Sequence, residues 1–242
     1  MGVIERVTGG GHIAHVEATG AVPRLQAAIL EARRHGVGRA TYGLALKTLN
    51  RVMPIKILRG VIIERPRPEF LVCPEGYEPA FLAPDLLRRF SLDPETRLSP
   101  GFVEEAVSKG DECFGILRNG RLAAYGWYSS RPTRIDPPEL RLRFRYDYVY
   151  MYNGYTHPRD RGLRLHAIGM TLALREYLRR GRKGLVSYVE SGNFDSLKSC
   201  RRMGYAEFGS IYVVRLSGRH RAFSSAGCRR IDFRVERATD MA

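Results

Sequence analysis

The chain has 242 residues, 44% of them hydrophobic, which is enough to bury the core of one large domain or of one domain with an extension. Its formal net charge of +15 favours anionic partners such as phosphorylated ligands, nucleic acid, acidic carrier proteins or an anionic membrane surface. No CxxC pair or His/Cys cluster occurs, which argues against a zinc site and a disulfide framework for the four cysteines Cys73, Cys113, Cys200 and Cys228. We therefore expect no bound metal. Because the sequence also has no apolar stretch of about 18 residues and no signal-peptide pattern, we expect a cytoplasmic protein.

Two basic helices are predicted first. Residues 23–36, PRLQAAILEARRHG, place Leu25, Ala28 and Ile29 on one helical face and end at Gly36. Residues 42–52, YGLALKTLNRV, contain good helix formers and stop before Pro54, which cannot continue a helix. We therefore expect residues 1–54 to form a basic helical extension.

The middle of the chain begins with a strand and ends with a hairpin. The β-branched run at 55–64, IKILRGVIIE, predicts a strand. Residues 83–90 and 99–107 follow as short helices with a proline near each start. Residues 112–130, ECFGILRNGRLAAYGWYSS, flank Asn119-Gly120 with apolar runs, a pattern typical of a tight β-hairpin.

The second half alternates strands with helices. Residues 140–155, LRLRFRYDYVYMYNGY, alternate throughout and predict one long strand, with a bulge at Asn153-Gly154. Further elements follow as a helix at 162–181, a strand at 184–191, a helix at 193–204, a strand at 205–216 and one more candidate strand in the tail at 217–242. This order predicts an α/β fold whose mixed, mostly antiparallel sheet is flanked by helices.

A basic turn, THPRDRGLRLH at residues 156–166, lies between the long strand and the next helix. A helix that begins there presents unpaired backbone N–H groups and the positive end of its dipole, which together bind phosphate readily. Gly162 allows a ligand to approach the backbone, and Arg159, Arg161 and Arg164 offer charge-assisted hydrogen bonds. The turn suits a pyrophosphate.

At this turn the chain resembles the GNAT superfamily of CoA-dependent N-acyltransferases. The family carries (Gln/Arg)-x-x-Gly-x-(Gly/Ala) at this junction, and the matching residues here are Arg159-Asp160-Arg161-Gly162-Leu163-Arg164, with Arg164 departing from the pattern. The family also often begins the next helix with Asn-x-x-Ala and ends it with Gly-Phe, which resembles Asn193 and Gly204-Tyr205. The resemblance covers about residues 55–216.

The resemblance implies transfer of an acyl group, acetyl or longer, from acyl-CoA to the primary amine of a small molecule. Residues 159–164 then hold the pyrophosphate, while Asn193 and the free backbone near Tyr155 and Thr156 contact the pantetheine arm. A backbone N–H near Tyr155 polarises the acyl carbonyl. Many members carry a tyrosine acid seven residues after the asparagine; this chain has Cys200, so a thiol or a water molecule protonates the departing sulfur.

Two carboxylates are candidates for the base that deprotonates the amine. Asp147 lies among aromatic residues, where partial burial raises a carboxyl pKa, and Glu190 ends the following strand. Asp147 is equally suited to pair with Arg143 or Arg145. Asn193 is likewise suited simply to cap its helix.

Other functions stay open at this point. An acyl carrier protein as donor would explain a charge far larger than one CoA needs, with the extension as its docking surface or as a contact to the inner face of a membrane. A GNAT-like fold that binds nucleic acid without catalysis, or that uses an aminoacyl-tRNA, also fits the basic composition. Neither the amine nor the oligomeric state follows from the sequence.

Overall fold

The computed structural model describes Arg33, residues 36–52 and residues 54–237. Its helices are α1 (Val37–Val52), α2 (Pro84–Ser91), α3 (Pro100–Lys109), α4 (Leu165–Arg179), α5 (Phe194–Met203) and α6 (Ala226–Arg230). Its strands are β1 (Ile55–Ile63), β2 (Glu78–Phe81), β3 (Glu112–Arg118), β4 (Arg121–Ser129), β5 (Thr133–Ile135), β6 (Leu140–Arg143), β7 (Tyr148–Thr156), β8 (Gly184–Glu190), β9 (Ala206–Leu216), β10 (Arg219–Ser224) and β11 (Arg234–Arg237). The helix predicted over 23–36 lies, apart from Arg33 and Gly36, outside the described residues.

Eight strands form the main sheet, in the order β10-β9-β1-β8-β7-β4-β3-β2. The neighbouring strands are antiparallel except β7 and β8, which are parallel and are joined by the crossover helix α4. A second sheet contains β11, β6 and β5. The predicted fold class, a mixed and mostly antiparallel sheet flanked by helices, is confirmed.

Both faces of the main sheet are covered over most of its strands, but one face of β9 and β10 is exposed. On one face α4 packs against buried side chains such as Ile116, Val149 and Leu185. On the other face, α2 and α3 cover Trp127 and its neighbours on the outer strands. The second sheet covers the remaining part of that face, around Tyr150. This two-sided burial leaves ligand access to the strand ends and to places where neighbouring strands separate.

The long strand predicted over 140–155 is wrong. Residues Leu140–Arg143 form β6 in the second sheet, and the chain turns through residues 144–147 before β7 begins in the main sheet. The Tyr148 N–H donates to the Arg145 carbonyl at 3.1 Å across this turn. Alternation continues through both strands because each buries one face, so periodicity does not show where the chain changes sheets.

The hairpin turn and the end of α5 lie where the sequence predicts them. Asn119 and Gly120 have φ of 51° and 73°, the conformation that a two-residue hairpin turn needs, so the hairpin is confirmed. Gly204 ends α5 with φ of 98°. Strand β2 was not predicted. Beyond residue 216 the chain adds β10 to the main sheet and β11 to the second sheet, where one further strand was expected.

Candidate functional site

Strands β7 and β8 separate part-way along the sheet. Their parallel pairing ends at Tyr150 opposite Val186, whereas β7 continues its pairing with β4 as far as Thr156. In the part of the chain that the structure describes, no strand pairs with β7 on its β8 side after Tyr150. Ser187 Oγ donates to the Met151 carbonyl at 2.8 Å there. The separation leaves a cleft whose β7 wall carries backbone donors and acceptors available to a ligand.

The predicted bulge lies in this wall. Tyr125 pairs with Tyr155 and Trp127 with Tyr152, so β7 has one residue more than β4 between these pairs. Asn153, in the bulge, has a φ of 45°. A Cβ placed on Gly154 would lie 2.5 Å from His166 Cε1, so the bulge packs closely on the first turn of α4. The bulge at Asn153-Gly154 is confirmed, and it joins the cleft to the basic turn.

Helix α4 begins three residues later than Gly162. Gly162 and Arg164 both have left-handed backbone conformations, with φ of 88° and 58°, and the helix begins at Leu165. The Ile168 N–H donates to the Arg164 carbonyl at 3.1 Å, the first hydrogen bond of the helix. The amides of residues 162–167 donate to no backbone carbonyl among the described residues, and the positive end of the helix dipole points out of the turn.

Asp160 anchors the turn from inside. Its side chain is fully buried and accepts hydrogen bonds from the Tyr77 hydroxyl at 2.9 Å and from Arg121 at 2.8 Å. Burial alone would raise the pKa of this carboxyl, but the bonds from Arg121 and Tyr77 outweigh it and lower the pKa. Sequence reasoning missed this role; the available signal was a single acid among the arginines of a basic turn.

The arginines of the turn point outward. Arg159, Arg161 and Arg164 are exposed, as is Leu163 at 43%. Arg159 lies 3.8 Å from Glu95, and among the described ion pairs none involves Arg161 or Arg164. These exposed guanidinium groups belong to residues that flank or lie among the free amides of the turn. This arrangement is suited to an anion with several oxygens.

Helix α5 carries two further candidates. Asn193 Oδ1 accepts from the Ser196 N–H at 3.1 Å, so Asn193 caps the helix as the simpler interpretation expected. Cys200 packs against the core beneath α4, and burial raises the pKa of its thiol to about 11. Cys200 therefore stays protonated at neutral pH.

Asp147 and Glu190 lie at opposite ends of the parallel pair. Asp147 precedes β7, about 26 Å of extended strand from Tyr155. Burial acts to raise its pKa, but Arg145 at 2.7 Å and Lys183 at 2.9 Å hold the pKa below its ordinary value, so the expected rise is wrong. The alternative pairing with Arg145 is observed. Glu190 ends β8 at the open end of the cleft, half-exposed, with Lys56 Nζ 3.9 Å from its carboxylate.

Three tyrosines stack where the strands separate. The rings of Tyr150 and Tyr152 are 5.5 Å apart and nearly parallel, and those of Tyr150 and Tyr188 are 6.2 Å apart. Burial raises the pKa of Tyr188 to about 12, so its phenol is neutral at physiological pH. Tyr152 donates to buried Asp111, a residue that sequence reasoning did not single out. These rings line the face of the cleft opposite α4.

Helix α1 of the extension packs beside the end of β8. The Tyr42 hydroxyl donates to Ser191 Oγ at 2.9 Å, and its ring meets Phe194 edge-on at 6.3 Å. The Arg39 guanidinium lies over the same phenylalanine ring at 5.7 Å. The described part of the extension therefore covers the junction between β8 and α5.

No group of three or more His, Cys, Asp or Glu side chains in the described ranges is placed to hold a metal ion, and the four cysteines are free. None of the described helices has the length and hydropathy needed to cross a bilayer.

Among solved structures, the chain is similar to GNAT acetyltransferases. It is 15% identical to a protein described as a GNAT-family acetyltransferase from Novosphingobium aromaticivorans, covering 76% of this chain and 66% of that one with a TM-score of 0.44. It is 13% identical to a GCN5-related N-acetyltransferase from Sphaerobacter thermophilus. That match covers 74% of this chain and 56% of the other, with a TM-score of 0.48. It is 14% identical to a protein described as an acetyltransferase from Salmonella typhimurium, solved with acetyl-CoA. That match covers 67% of this chain and 94% of the other, with a TM-score of 0.39.

The chain thus spans about two thirds or less of the length of the first two of these proteins. No protein-family model matches the sequence, and no curated protein matches it. The TM-scores lie below 0.5, so the architecture described above rests on the strand order and register of this chain itself.

Proposed function

We propose that the protein is an N-acyltransferase that moves an acyl group from acyl-CoA to a primary amine. The observation that carries this proposal is the separation of β7 from β8 after Tyr150, with the free helix start and the exposed arginines at the end of the same cleft. A pantetheine arm is a linear chain of amides that pairs with a free strand edge, and its pyrophosphate then meets the basic turn. One extended ligand satisfies both features.

The chemistry requires a neutral amine, an oriented carbonyl and a proton for the departing sulfur. In this proposal Arg159, Arg161 and the amides from Gly162 onward hold the pyrophosphate, and a β7 amide near Tyr155 polarises the thioester carbonyl. The amine nitrogen bonds to that carbon, its surplus proton passes to Glu190 directly or through water, and the carbon–sulfur bond breaks. The thiolate takes a proton from Cys200 or from water.

The first test measures CoA affinity by calorimetry. We expect Arg159→Ala/Arg161→Ala to weaken binding by at least about tenfold, because each lost charge-assisted hydrogen bond contributes about 1.5–3 kcal/mol. The matched control is Arg89→Ala/Arg175→Ala, which removes the same charge at two exposed positions without ion pairs among the described residues. Equal affinity in the two double variants would place the pyrophosphate elsewhere and remove the basis of the proposal.

The donor is tested separately. Mass spectrometry of acyl-CoA species that copurify with the protein identifies the acyl group. Turnover with acyl-CoA is then compared with turnover on the same acyl group carried by an acyl carrier protein. Faster turnover with the carrier protein at low salt, lost on raising salt, would identify it as the donor, because screening weakens exposed charge pairs.

A further inference from the structure

Strands β9 and β10, at one edge of the main sheet, belong to an unusually basic segment. Residues 208–231, FGSIYVVRLSGRHRAFSSAGCRRI, contain five arginines and no aspartate or glutamate, although the whole chain has 25 acidic residues in 242. The segment covers most of β9, all of β10 and helix α6. Its positive charge is therefore local and is not neutralised by acids within the segment.

One face of these strands is exposed and combines aromatic rings with arginines. Alternation along β10 exposes Arg219, Arg221 and Phe223, and the same face of β9 exposes Tyr212 and Leu216. Phe223 is 58% and Tyr212 42% exposed, and the two residues are directly opposite in the strand register. We call these five residues the β9–β10 face.

The other side of the same strands belongs to the core. Ile211 and Val213 are buried against the second sheet and α6. Burial of that side explains why these strands form, because one apolar face suffices to hold an outer hairpin on the sheet. It does not explain two large exposed rings on the opposite side, since a solvated strand face is ordinarily polar.

Both arginines of the face are exposed. Within the described ranges, neither Arg219 nor Arg221 makes an ion pair, whereas His220, which points to the other side, lies 2.7 Å from Glu139. The two arginines are two residues apart on one strand, so their Cα atoms are about 6.6 Å apart. Cβ atoms of directly opposite residues such as Phe223 and Tyr212 are about 5 Å apart. The face thus presents adjacent rings beside a short row of uncompensated charge.

We propose that the β9–β10 face binds single-stranded nucleic acid. Bases stack on Phe223 and Tyr212, since every base has a π-face, and the phosphates of the same strand lie along Arg219 and Arg221. A duplex fits less well, because its bases are read by elements that enter a groove and its stacked pairs offer no free π-face. An acidic protein would also bind such a face, so the absence of saturable oligouridine binding would favour a protein partner instead.

The test is fluorescence anisotropy with the full chain and a labelled oligouridine of about 12 nucleotides, within the usual site sizes. We expect salt-dependent binding. Arg219→Ala/Arg221→Ala should lower the slope of log K against log salt by about 1.4, since each phosphate contact in a single strand contributes about 0.7. Tyr212→Leu/Phe223→Leu should weaken binding by about fivefold or more per ring while leaving that slope unchanged.

Three results would overturn the proposal. One is the absence of saturable binding. A second is an arginine variant that binds like Arg89→Ala/Arg175→Ala, which would show general charge attraction. A third is unchanged oligouridine affinity in Tyr212→Leu/Phe223→Leu, together with unchanged binding of that variant to vesicles rich in phosphatidylserine. Leucine removes the stacking but keeps the apolar contact that a lipid surface uses, so these two results would indicate a lipid surface instead. Acyl transfer to a small amine should stay unchanged in both variants, so failure here is distinct from failure of the proposed activity.

Discussion

Single side chains set the direction of the basic turn. Asp160 is buried against Tyr77 and Arg121, with the half-exposed Arg118 3.8 Å away, while its sequence neighbours Arg159 and Arg161 remain in solvent. A fully buried carboxylate is costly unless charged and polar partners compensate it, and here they do. The residue between the arginines therefore supports the loop, and the arginines are left to bind.

Asp160→Asn should destabilise the folded protein. The amide keeps the shape but leaves Arg121 without its charge partner, so we expect the free energy of unfolding at pH 7 to fall by about 3 kcal/mol. Urea denaturation measures it. The control Asp85→Asn breaks an ion pair at a side chain that is 94% exposed and should change stability by less than about 1 kcal/mol.

The contribution of Asp160 to the free energy of unfolding depends on pH, because folding lowers the pKa of its carboxyl. The pKa of Asp160 is lower in the folded protein than its ordinary value of 3.8, so its contribution is fully present above that value and is lost as pH falls through the folded pKa. The difference between wild type and Asp160→Asn should therefore be constant from pH 7 to about pH 5 and shrink below about pH 4. A difference that grows with falling pH would contradict the assignment.

At the scale of elements, the β7 bulge and the start of α4 act as one unit. The bulge lets β7 follow β4 while leaving β8, and Gly154 admits His166 of the first helical turn into close contact. Burial lowers the pKa of His166, so the imidazole packs there in its neutral form. The position of the helix start relative to the cleft thus depends on one glycine.

Gly154→Ala tests this packing. The new methyl group would lie 2.5 Å from His166, so we expect the melting temperature to fall by several degrees through overpacking of about 1–3 kcal/mol. His166→Ala in the same chain should recover part of the loss, because it removes the clashing ring. Gly101→Ala, where no atom lies within 4 Å, is the neutral control. A double variant whose loss equals the sum of the losses in Gly154→Ala and His166→Ala would exclude His166 as the cause.

For the whole molecule, charge is the dominant property. Many of the described ion pairs involve exposed side chains, such as Arg88 with Asp85, and contribute little to stability, while a net charge of +15 repels itself in the compact state. Salt that screens both effects should therefore remove more repulsion than attraction.

We expect added sodium chloride to raise the melting temperature. Going from about 0.01 M to about 0.3 M shortens the Debye length severalfold, and a gain of about 1 kcal/mol corresponds to about 2–4 °C in a chain of this size. Scanning calorimetry measures the shift. Arg219→Glu/Arg221→Glu lowers the net charge by four, from +15 to +11, and should show a smaller rise. A melting temperature that falls with salt would show that ion pairs outweigh the repulsion.

The sequence by itself determined the features that depend on neighbouring residues. The Asn119-Gly120 hairpin, the bulge at Asn153-Gly154 and the helix stop at Gly204 follow from local backbone preferences, and the mixed sheet follows from the order of strands and helices. Tertiary structure decided what depends on distant partners. Residues 140–155 are divided between two sheets. Asp147 lies far from the basic turn and forms an ion pair with Lys183, and Asp160 is buried against Tyr77. Periodicity reports which face of a strand is buried but not against what, so only the packed chain shows which charges are neutralised and which remain free to bind.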